Sequence, residues 1–436
     1  MALQDTCEKQ KIYALIDCNS FFCSCERVFR PEYDKKPLGV VSGADGCFVS
    51  CSYELKKLGV KVGTPYFKVK ELCQYHDVIV FTSNFSLYRN FSDRVMMVIT
   101  KFSPHYGVYS IDEAFIDVTH IKETELDDYI REIKRVVERD TGIPVSIGVS
   151  YTKTLCKVAG LLAKKNEAHK GVVTLLDEET IDRALYETQI GDVWGIGPAS
   201  SSKMRSMGIS NAKDLKYYDN LKRIKNIYGV MGVQRKAELS GQLHFSLNEQ
   251  RSKKKQIMYS RSFVTPLYAL KEIEVAITHF CFVACEKLRK QSSLTKEVCV
   301  FIRTSHFKEG TYYQNSQTVK LAVATFDTRK VSSKALEALR EIFKSGYAYK
   351  KIGVVISDFV NEDEVQTDLF NSVDEKTDEG LMNLIDSINK KEGKGTLSFG
   401  LANKLNTKQG LRGKTLGNIK ESPRYVSSWD ELASAL

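Results

Sequence analysis

Between Lys11 and Lys165, apolar runs of strand length and stretches of helical spacing follow one another in a single order. Lys11–Cys18 (KIYALIDC) is an apolar run that reads as a buried strand. A short helix follows over Ser20–Val28 and stops before Pro31. Tyr33–Gln74 is mixed and Gly-containing, with a helical piece from Ser52 to Leu58. Phe85–Phe102 has apolar residues at helical spacing and ends before Pro104. Val108–Val118 reads as two short strands, Asp127–Asp140 as a charged amphipathic helix, Pro144–Ser150 as a strand and Thr154–Lys165 as a helix. Strand, helix, two strands, helix, strand is the order of a split βαβ, ferredoxin-like sandwich.

Thr180–Gln242 is helical, short-looped and basic, and Arg251–Gln256 (RSKKKQ) is a polar, basic linker. The same order then returns. Ile257–Phe263 reads as a strand, and Leu267–Lys290 as a helix with Leu270, Ile273, Ile277, Phe280, Ala284 and Leu288 on one face. Val298–Thr304 and Val319–Phe326 read as strands, Ser332–Phe343 as a helix and Lys351–Val360 as a strand. This second split βαβ predicts a separate domain. No short repeat is present, which excludes a solenoid. A chain of 436 residues has room for about two to four domains, and the fold class expected is multidomain α+β. From Asn361 onward the chain is acidic, then Gly/Lys/Asn-rich, and is expected to be loosely ordered.

The net charge of +10 is uneven: Asn361–Gly380 carries −7, leaving +17 on the rest. A basic body with an acidic, turn-prone segment is the pattern of a nucleic-acid binder with a flexible linker. No apolar run reaches the ~18 residues that span a bilayer, and Met1–Lys11 lacks the apolar core of a secretory signal. The eleven cysteines are scattered, without C-x-x-C or H-x3-H spacing. That argues against a disulfide framework or a structural zinc, and for reduced thiols in a cytoplasmic protein.

Three carboxylates carry the chemistry. Asp17 ends the first strand, and Asp112 and Glu113 sit inside the apolar run Tyr109–Ile116. Consecutive strand residues face opposite ways, so two adjacent carboxylates meet only at a turn or bulge. That places Asp112–Glu113 at the tip of a strand–strand turn. The first and third strands of a split βαβ sheet are central neighbours, which brings Asp17 beside the pair. Three clustered acids repel one another unless divalent cations neutralise them. Carboxylates with water and substrate phosphate suit Mg²⁺. Two such ions ~3.5–4 Å apart serve in-line displacement at phosphorus.

LIDCNSFFCSCE and YSIDEAFIDVT, in that order and at that distance, resemble the two metal-binding motifs of the Y-family translesion DNA polymerases. Within that family the chain resembles the UmuC-type subunits of bacterial DNA polymerase V, over roughly Ile12 to Leu401. The resemblance implies a right-hand polymerase. Residues 11–179 would form a palm with fingers inserted at about 31–76, and 180–250 a helix-hairpin-helix thumb. Residues 255–360 would form a βαββαβ little finger, and 361–436 an acidic linker and tail. Asp17, Asp112 and Glu113 would hold two Mg²⁺ ions, with the Cys18 backbone carbonyl also on a metal. Asn19 stands where some relatives have another acid and receives no metal role.

For the dNTP the resemblance points to Tyr53, Lys56 and Lys164 on the triphosphate, with Phe21, Phe22 and Ser50 lining the pocket. Phe22 would be the steric gate against a ribose 2′-OH. Lys56 replaces the arginine of many relatives, a point charge for a fork. Each lysine taken alone reads equally as a solvated surface residue, and Phe22 as a core ring. Asp192–Gly197 and Ser200–Met207 read as a hairpin between short helices, where glycines let the backbone approach phosphate. Gly195, Gly197, Lys203 and Arg205 are the DNA candidates there. Arg261, Arg303, Lys308 and the RSKKK linker add basic surface further on. Gln366-Thr367-Asp368-Leu369-Phe370 resembles the short peptide with which bacterial polymerases dock in the sliding clamp, anchored by Gln366, Leu369 and Phe370. A UmuD′-type dimer and RecA are further partners that the resemblance implies. Cys18 and Cys23 flank the catalytic segment and are candidates for oxidation.

The leading expectation is error-prone, template-directed addition of dNTPs to a primer 3′-OH, in SOS-type damage tolerance and without a proofreading exonuclease. Small fingers with few bulky walls select weakly for shape. A nucleotidyl cyclase also uses carboxylates on such a sheet, but needs no grip on DNA. A DNA-bound scaffold needs no carboxylates.

Overall fold

The computed structural model describes residues 10–43, 46–247, 253–306, 311–361, 375–393, 395–399, 419–426 and 431. The chain forms two compact units, one built from residues up to 250 together with 416–436, the other from 251–415. In chain order the first unit runs β1 (Tyr13–Cys18), α1 (Phe21–Val28), β2 (Leu38–Val41), β3 (Phe48–Cys51), α2 (Tyr53–Lys57), α3 (Lys70–Tyr75), β4 (Ile79–Thr82) and α4 (Phe85–Ile99). It continues with β5 (Tyr106–Val108), β6 (Glu113–Asp117), α5 (Glu123–Thr141), β7 (Val145–Ser150), α6 (Lys153–Lys165) and β8 (Val172–Thr174). Four helices follow: α7 (Glu178–Glu187), α8 (Pro198–Arg205), α9 (Ala212–Tyr217) and α10 (Leu221–Leu239), the last bent at Gly229, whose φ is 67°.

The main sheet has the order β5-β6-β1-β7-β8. Its first four strands follow the expected ferredoxin-like order, with β1 central and antiparallel to both β6 and β7. The parallel edge strand β8 is an addition to that pattern. Alternation along β1 divides its side chains between two cores. Ala14, Ile16 and Cys18 join the layer of α1, α4 and α5, whereas Tyr13 and Leu15 pack with Phe115 and Cys156 on the α6 side. Asp17 and Glu113 share the parity of Leu15 and Phe115, so strand geometry alone puts both acids on the α6 face.

Each layer follows from local sequence. Leu126, Ile130, Ile133 and Val137 form one buried stripe on α5, which ends at Gly142 with φ 70°. Thr152 caps α6 by accepting from the Leu155 amide. Helix α6 lies against β7 because position 148 has no Cβ. One built there would come within 2.2 Å of Gly160 N and 2.4 Å of Cys156 O. The start of α6 is also held by Glu238 on α10, a fully buried carboxylate. It accepts from Thr154 N at 3.0 Å, Thr154 Oγ1 at 2.6 Å, Phe245 N at 3.1 Å and His244 N at 3.3 Å.

A second sheet in this unit, absent from the sequence reading, joins β2, β3 and β4. Its order is completed by β13 (Ile419–Lys420), which runs parallel to β4 with Ile419 opposite Val80.

The other unit contains β9 (Ile257–Leu267), α11 (Leu270–Arg289), β10 (Ser293–Arg303), β11 (Gln314–Thr325), α12 (Thr328–Ile342), β12 (Tyr349–Asn361) and α13 (Glu375–Lys391). The βαββαβ element order is present, but its sheet runs β11-β10-β12-β9. The first strand is therefore an edge strand, not a central one as in the other unit. Both orders let each crossover skip one strand and run parallel to its start, so the hydrophobic pattern alone cannot separate them. The expectation of a loosely ordered segment beyond Asn361 fails at two places, α13 and β13. Met382 and Ile385 of α13 are buried against Phe282, and Arg289 makes a two-pronged bond to Asp386 at 2.7 and 2.8 Å.

Candidate active site

The register of β1 and β6 sets Asp17 directly opposite Glu113. Residues 109–112 turn the chain from β5 into β6, and the Cys18 amide donates to the Asp112 carbonyl at 2.9 Å. Asp112 is thereby fixed beside the end of β1, at the turn the sequence requires. The Ser110 hydroxyl donates to Asp112 Oδ1 at 2.5 Å and lies 3.3 Å from Glu113 Oε2, bridging the adjacent acids.

Two lysines of α6 meet this cluster. Lys164 Nζ lies 2.6 Å from Asp17 Oδ1, and Lys157 Nζ pairs with Glu113 Oε1. They stand two helical turns apart on one face of α6. Burial pushes the Asp17 carboxyl up to about 6, against the pull of Lys164, and the neighbouring Glu113 carboxylate pushes the same way. Burial also raises Glu113, but the Lys157 ammonium beside it brings the carboxyl below its ordinary value. Among the described residues, no three His, Cys, Asp or Glu side chains converge as they stand to enclose an ion. The donors at this corner are nonetheless all oxygens, and cationic charge is already drawn onto two of the acids. That donor set suits a hard divalent cation, with the lysine ammoniums marking where positive charge is wanted.

Lys157 escaped the sequence reading, although its seven-residue spacing from Lys164 was visible. Its ammonium lies 4.5 Å from the centre of the Tyr109 ring and 5.8 Å from that of Trp194. The Arg235 guanidinium lies 3.6 Å from the Trp194 ring centre and 4.2 Å from that of Phe245. Trp194 Nε1 donates to the Tyr109 hydroxyl at 2.9 Å. A column of cations and rings thus runs from α10 through Trp194 to Lys157 and Glu113. On the polymerase expectation, Lys157→Met should lower kcat for nucleotide addition about 10–100-fold, the scale of losing a group that orients a ligand side chain. Nucleotide KM should move little, and Lys157→Arg should recover part of the loss. A shift in KM alone would show that Lys157 contacts substrate instead.

The nucleotide candidates separate by burial. Phe22 is half-buried at the start of α1, stacked on Tyr88 at 4.3 Å and edge-on to Phe85. Lys56 Nζ donates to Ser20 Oγ at 3.2 Å, just beyond Asp17–Cys18. Tyr53 is exposed and donates to Glu167 at 3.2 Å, with Lys57 over its ring. Phe21 and Ser50 are both buried. The Phe21 ring is inside the core, and the buried Ser50 hydroxyl accepts from the Cys23 amide at 3.4 Å. Position 21 alternates to the inner side of α1 while Phe22 faces out, a distinction that two adjacent phenylalanines hide. Cys18 and Cys23 are buried, which pushes the Cys23 thiol up to about 12 and Cys18 well above its ordinary value. Burial thus disfavours the thiolate form at both positions.

Of the DNA candidates, Gly195 has φ 87°, and its carbonyl accepts from the Tyr228 hydroxyl. Gly197 precedes Pro198 at the start of α8, and Lys203 and Arg205 are exposed on its last turn. In the other unit Arg261 is exposed beside Tyr259. Arg303 lies directly opposite Lys351. Like charges across a strand pair are unfavourable unless an anion joins them. Lys308, Gln366, Leu369 and Phe370 lie outside the described residues. No helix among the described residues is long and apolar enough to cross a membrane.

Comparison with known proteins identifies the family. Residues 16–160 match the model of the impB/mucB/samB family, and 254–369 that of its C-terminal domain. Residues 379–435 match a domain of unknown function. The chain is 36% identical to protein UmuC of Salmonella typhimurium over 425 residues, 97% of this chain and 99% of that one. It is 36% identical to protein MucB of Escherichia coli over 427 residues, with the same coverage. A DNA polymerase IV of Ureaplasma parvum is 26% identical over 83% of this chain and 98% of its own. A solved Y-family DNA polymerase chimera, Dbh-Dpo4(243-245)-Dbh, shares the fold with a TM-score of 0.64. The identity is 22%, over 80% of this chain and 100% of that one.

Proposed function

The chain belongs to the impB/mucB/samB family of Y-family DNA polymerases, and from that membership we propose that it copies damaged template by adding dNTPs to a primer 3′-OH. It is a DNA-directed DNA polymerase of DNA damage tolerance. The observation that carries the finer reading is the Asp17–Glu113 pairing at the centre of the main sheet, with Asp112 on the adjoining turn and two lysines on the acids.

In the proposed reaction the primer 3′-hydroxyl gives up its proton to solvent, and its oxygen bonds to the α-phosphorus of the incoming dNTP. The bond from that phosphorus to the β-phosphate bridge breaks, and pyrophosphate leaves. Two Mg²⁺ ions, when bound by Asp17, Asp112, Glu113 and the Cys18 carbonyl, supply activation of the hydroxyl and neutralise the phosphates. Lys157 keeps Glu113 ionised and oriented. Lys164 and Lys56 supply mobile cations at the triphosphate end, and Lys164 exchanges Asp17 for phosphate as nucleotide enters. The outward ring of Phe22 forms the wall at the sugar. Residues 11–179 act as palm with inserted fingers, 180–250 as thumb and 255–360 as little finger. Arg261 and Arg303 place phosphate-binding charge on the little finger. The reading also includes low-fidelity synthesis in an SOS-type response, cytoplasmic location, docking on a sliding clamp through Gln366–Phe370, and assistance from a UmuD′-type dimer and RecA.

Primer extension on undamaged and abasic templates tests it. The wild-type protein is expected to extend both with Mg²⁺ and neither after chelation by EDTA. No extension even with clamp, UmuD′ and RecA added would overturn the proposal.

A further inference from the structure

Segment 419–426 lies in the region matched only to a domain of unknown function, yet it is built into the first unit. Ile419 is buried as β13 on the edge of β4, and Lys420 Nζ donates to the Tyr33 hydroxyl at 3.2 Å. Beyond it, the buried Tyr425 ring stacks on Phe29 at 4.2 Å, and its hydroxyl accepts from Arg30 Nε at 3.0 Å. Asn84 Nδ2 donates to Ser422 Oγ at 3.0 Å and to the Pro423 carbonyl at 3.2 Å.

These contacts converge behind one side chain. Asn84 caps α4 by accepting from the Leu87 amide, so the segment grips the turn that carries Phe85 and Tyr88. Both rings bear on Phe22. The Tyr88 hydroxyl is buried and donates to Glu26 at 2.7 Å, and Ser422 lies near enough to the same carboxyl to favour its charged form. Phe29 and Arg30 continue the chain directly from α1, the helix on which Phe22 stands. The back of the Phe22 ring is thus set from α4 and from α1, and segment 419–426 holds both.

We propose that segment 419–426 is a positioning element of the sugar-selecting wall, holding Phe22 against the nucleotide through Asn84, Tyr88 and Glu26. The inference rests on Phe22 being the gate. A wall that backs away by a fraction of an ångström admits a 2′-hydroxyl while still binding base and phosphates. Its loss therefore changes discrimination more than it changes deoxynucleotide addition.

The test measures kcat/KM for dNTP and rNTP addition to primed DNA in the full chain. The variants are Ser422→Ala, Tyr425→Ala, Tyr425→Phe, Tyr88→Phe and Phe22→Ala. Phe22→Ala is expected to abolish most discrimination. Ser422→Ala and Tyr425→Ala should each lower it at least about tenfold, the low end of what a methylene-sized change in a pocket is worth. Tyr425→Phe keeps the stack and should recover most of the loss. Phe22→Ala/Tyr425→Ala should discriminate no worse than Phe22→Ala alone. Should Tyr425→Ala melt early, Ser422→Ala and Tyr88→Phe, which remove one hydroxyl each, carry the decision. Unchanged discrimination in those two, with Phe22→Ala impaired, overturns the positioning role and leaves the gate standing. Unchanged discrimination in Phe22→Ala removes the gate, and the inference with it.

Discussion

Asp112→Ala/Glu113→Ala is expected to cut primer extension by ~10⁴-fold or more, the scale on which catalytic groups acting as a unit fail. The two acids share Ser110, and Glu113 stands directly opposite Asp17, so the substitutions dismantle one cluster and not two independent sites. Folding should survive. Relief of repulsion among the acids offsets the loss of the Lys157 pair, so the melting temperature should stay within a few degrees. Affinity for primed DNA, read by fluorescence anisotropy, should also hold, because the exposed Lys203, Arg205 and Arg261 lie elsewhere in the chain. Retained DNA binding without extension identifies the acids as catalytic. Extension within tenfold of wild type would mean that the cluster is structural.

The largest effect on stability is expected at Glu238. Its carboxylate is fully buried and accepts four hydrogen bonds, two from Thr154 at the start of α6 and two from the chain after α10. Alanine leaves three amides, that of buried Thr154 among them, and the buried Thr154 hydroxyl without that acceptor, and strands the nearby Arg235 charge, whose own burial already lowers its pKa. Breaking such an arrangement by removing one partner costs about 3–5 kcal/mol. Urea denaturation followed by Trp194 fluorescence should show this loss in the transition of the first unit. Glu238→Gln, which keeps one oxygen acceptor, should cost roughly half as much. A loss below about 1 kcal/mol for alanine would mean that water replaces the carboxylate.

The core of the site was legible because strand alternation and turn geometry leave little choice. An acid ending an apolar strand, and an Asp-Glu pair flanked by apolar residues, must meet if β1 and β6 are central neighbours. What escaped the reading depended on distant pairing or on fine orientation. LGVV, FVSC and IVFT are each four residues long, too short for their periodicity to announce a sheet. The edge position of β9 satisfies the same burial pattern as a central one. Phe21 and Phe22 are chemically alike, and only the packing of α1 tells the core ring from the outward one. The apolar stripe of α13 was visible at Met382 and Ile385, but the acidic run before it drew attention to disorder instead.

The parallel pairing of β13 with β4 also bears on the order of events during synthesis. Ile419 leaves the ribosome about 340 positions after Val80, its partner. At ~5–20 residues per second, that interval is roughly 20–70 s. Throughout it, β4 presents an open edge able to pair with another chain, and Phe29 and Asn84 lack their eventual partners. A nascent molecule can therefore assemble its carboxylates and its main sheet well before residues 419–426 reach Phe29 and Asn84. On the positioning role proposed for segment 419–426, a product shortened before residue 419 is expected to keep its carboxylate cluster but to discriminate less well between nucleotides.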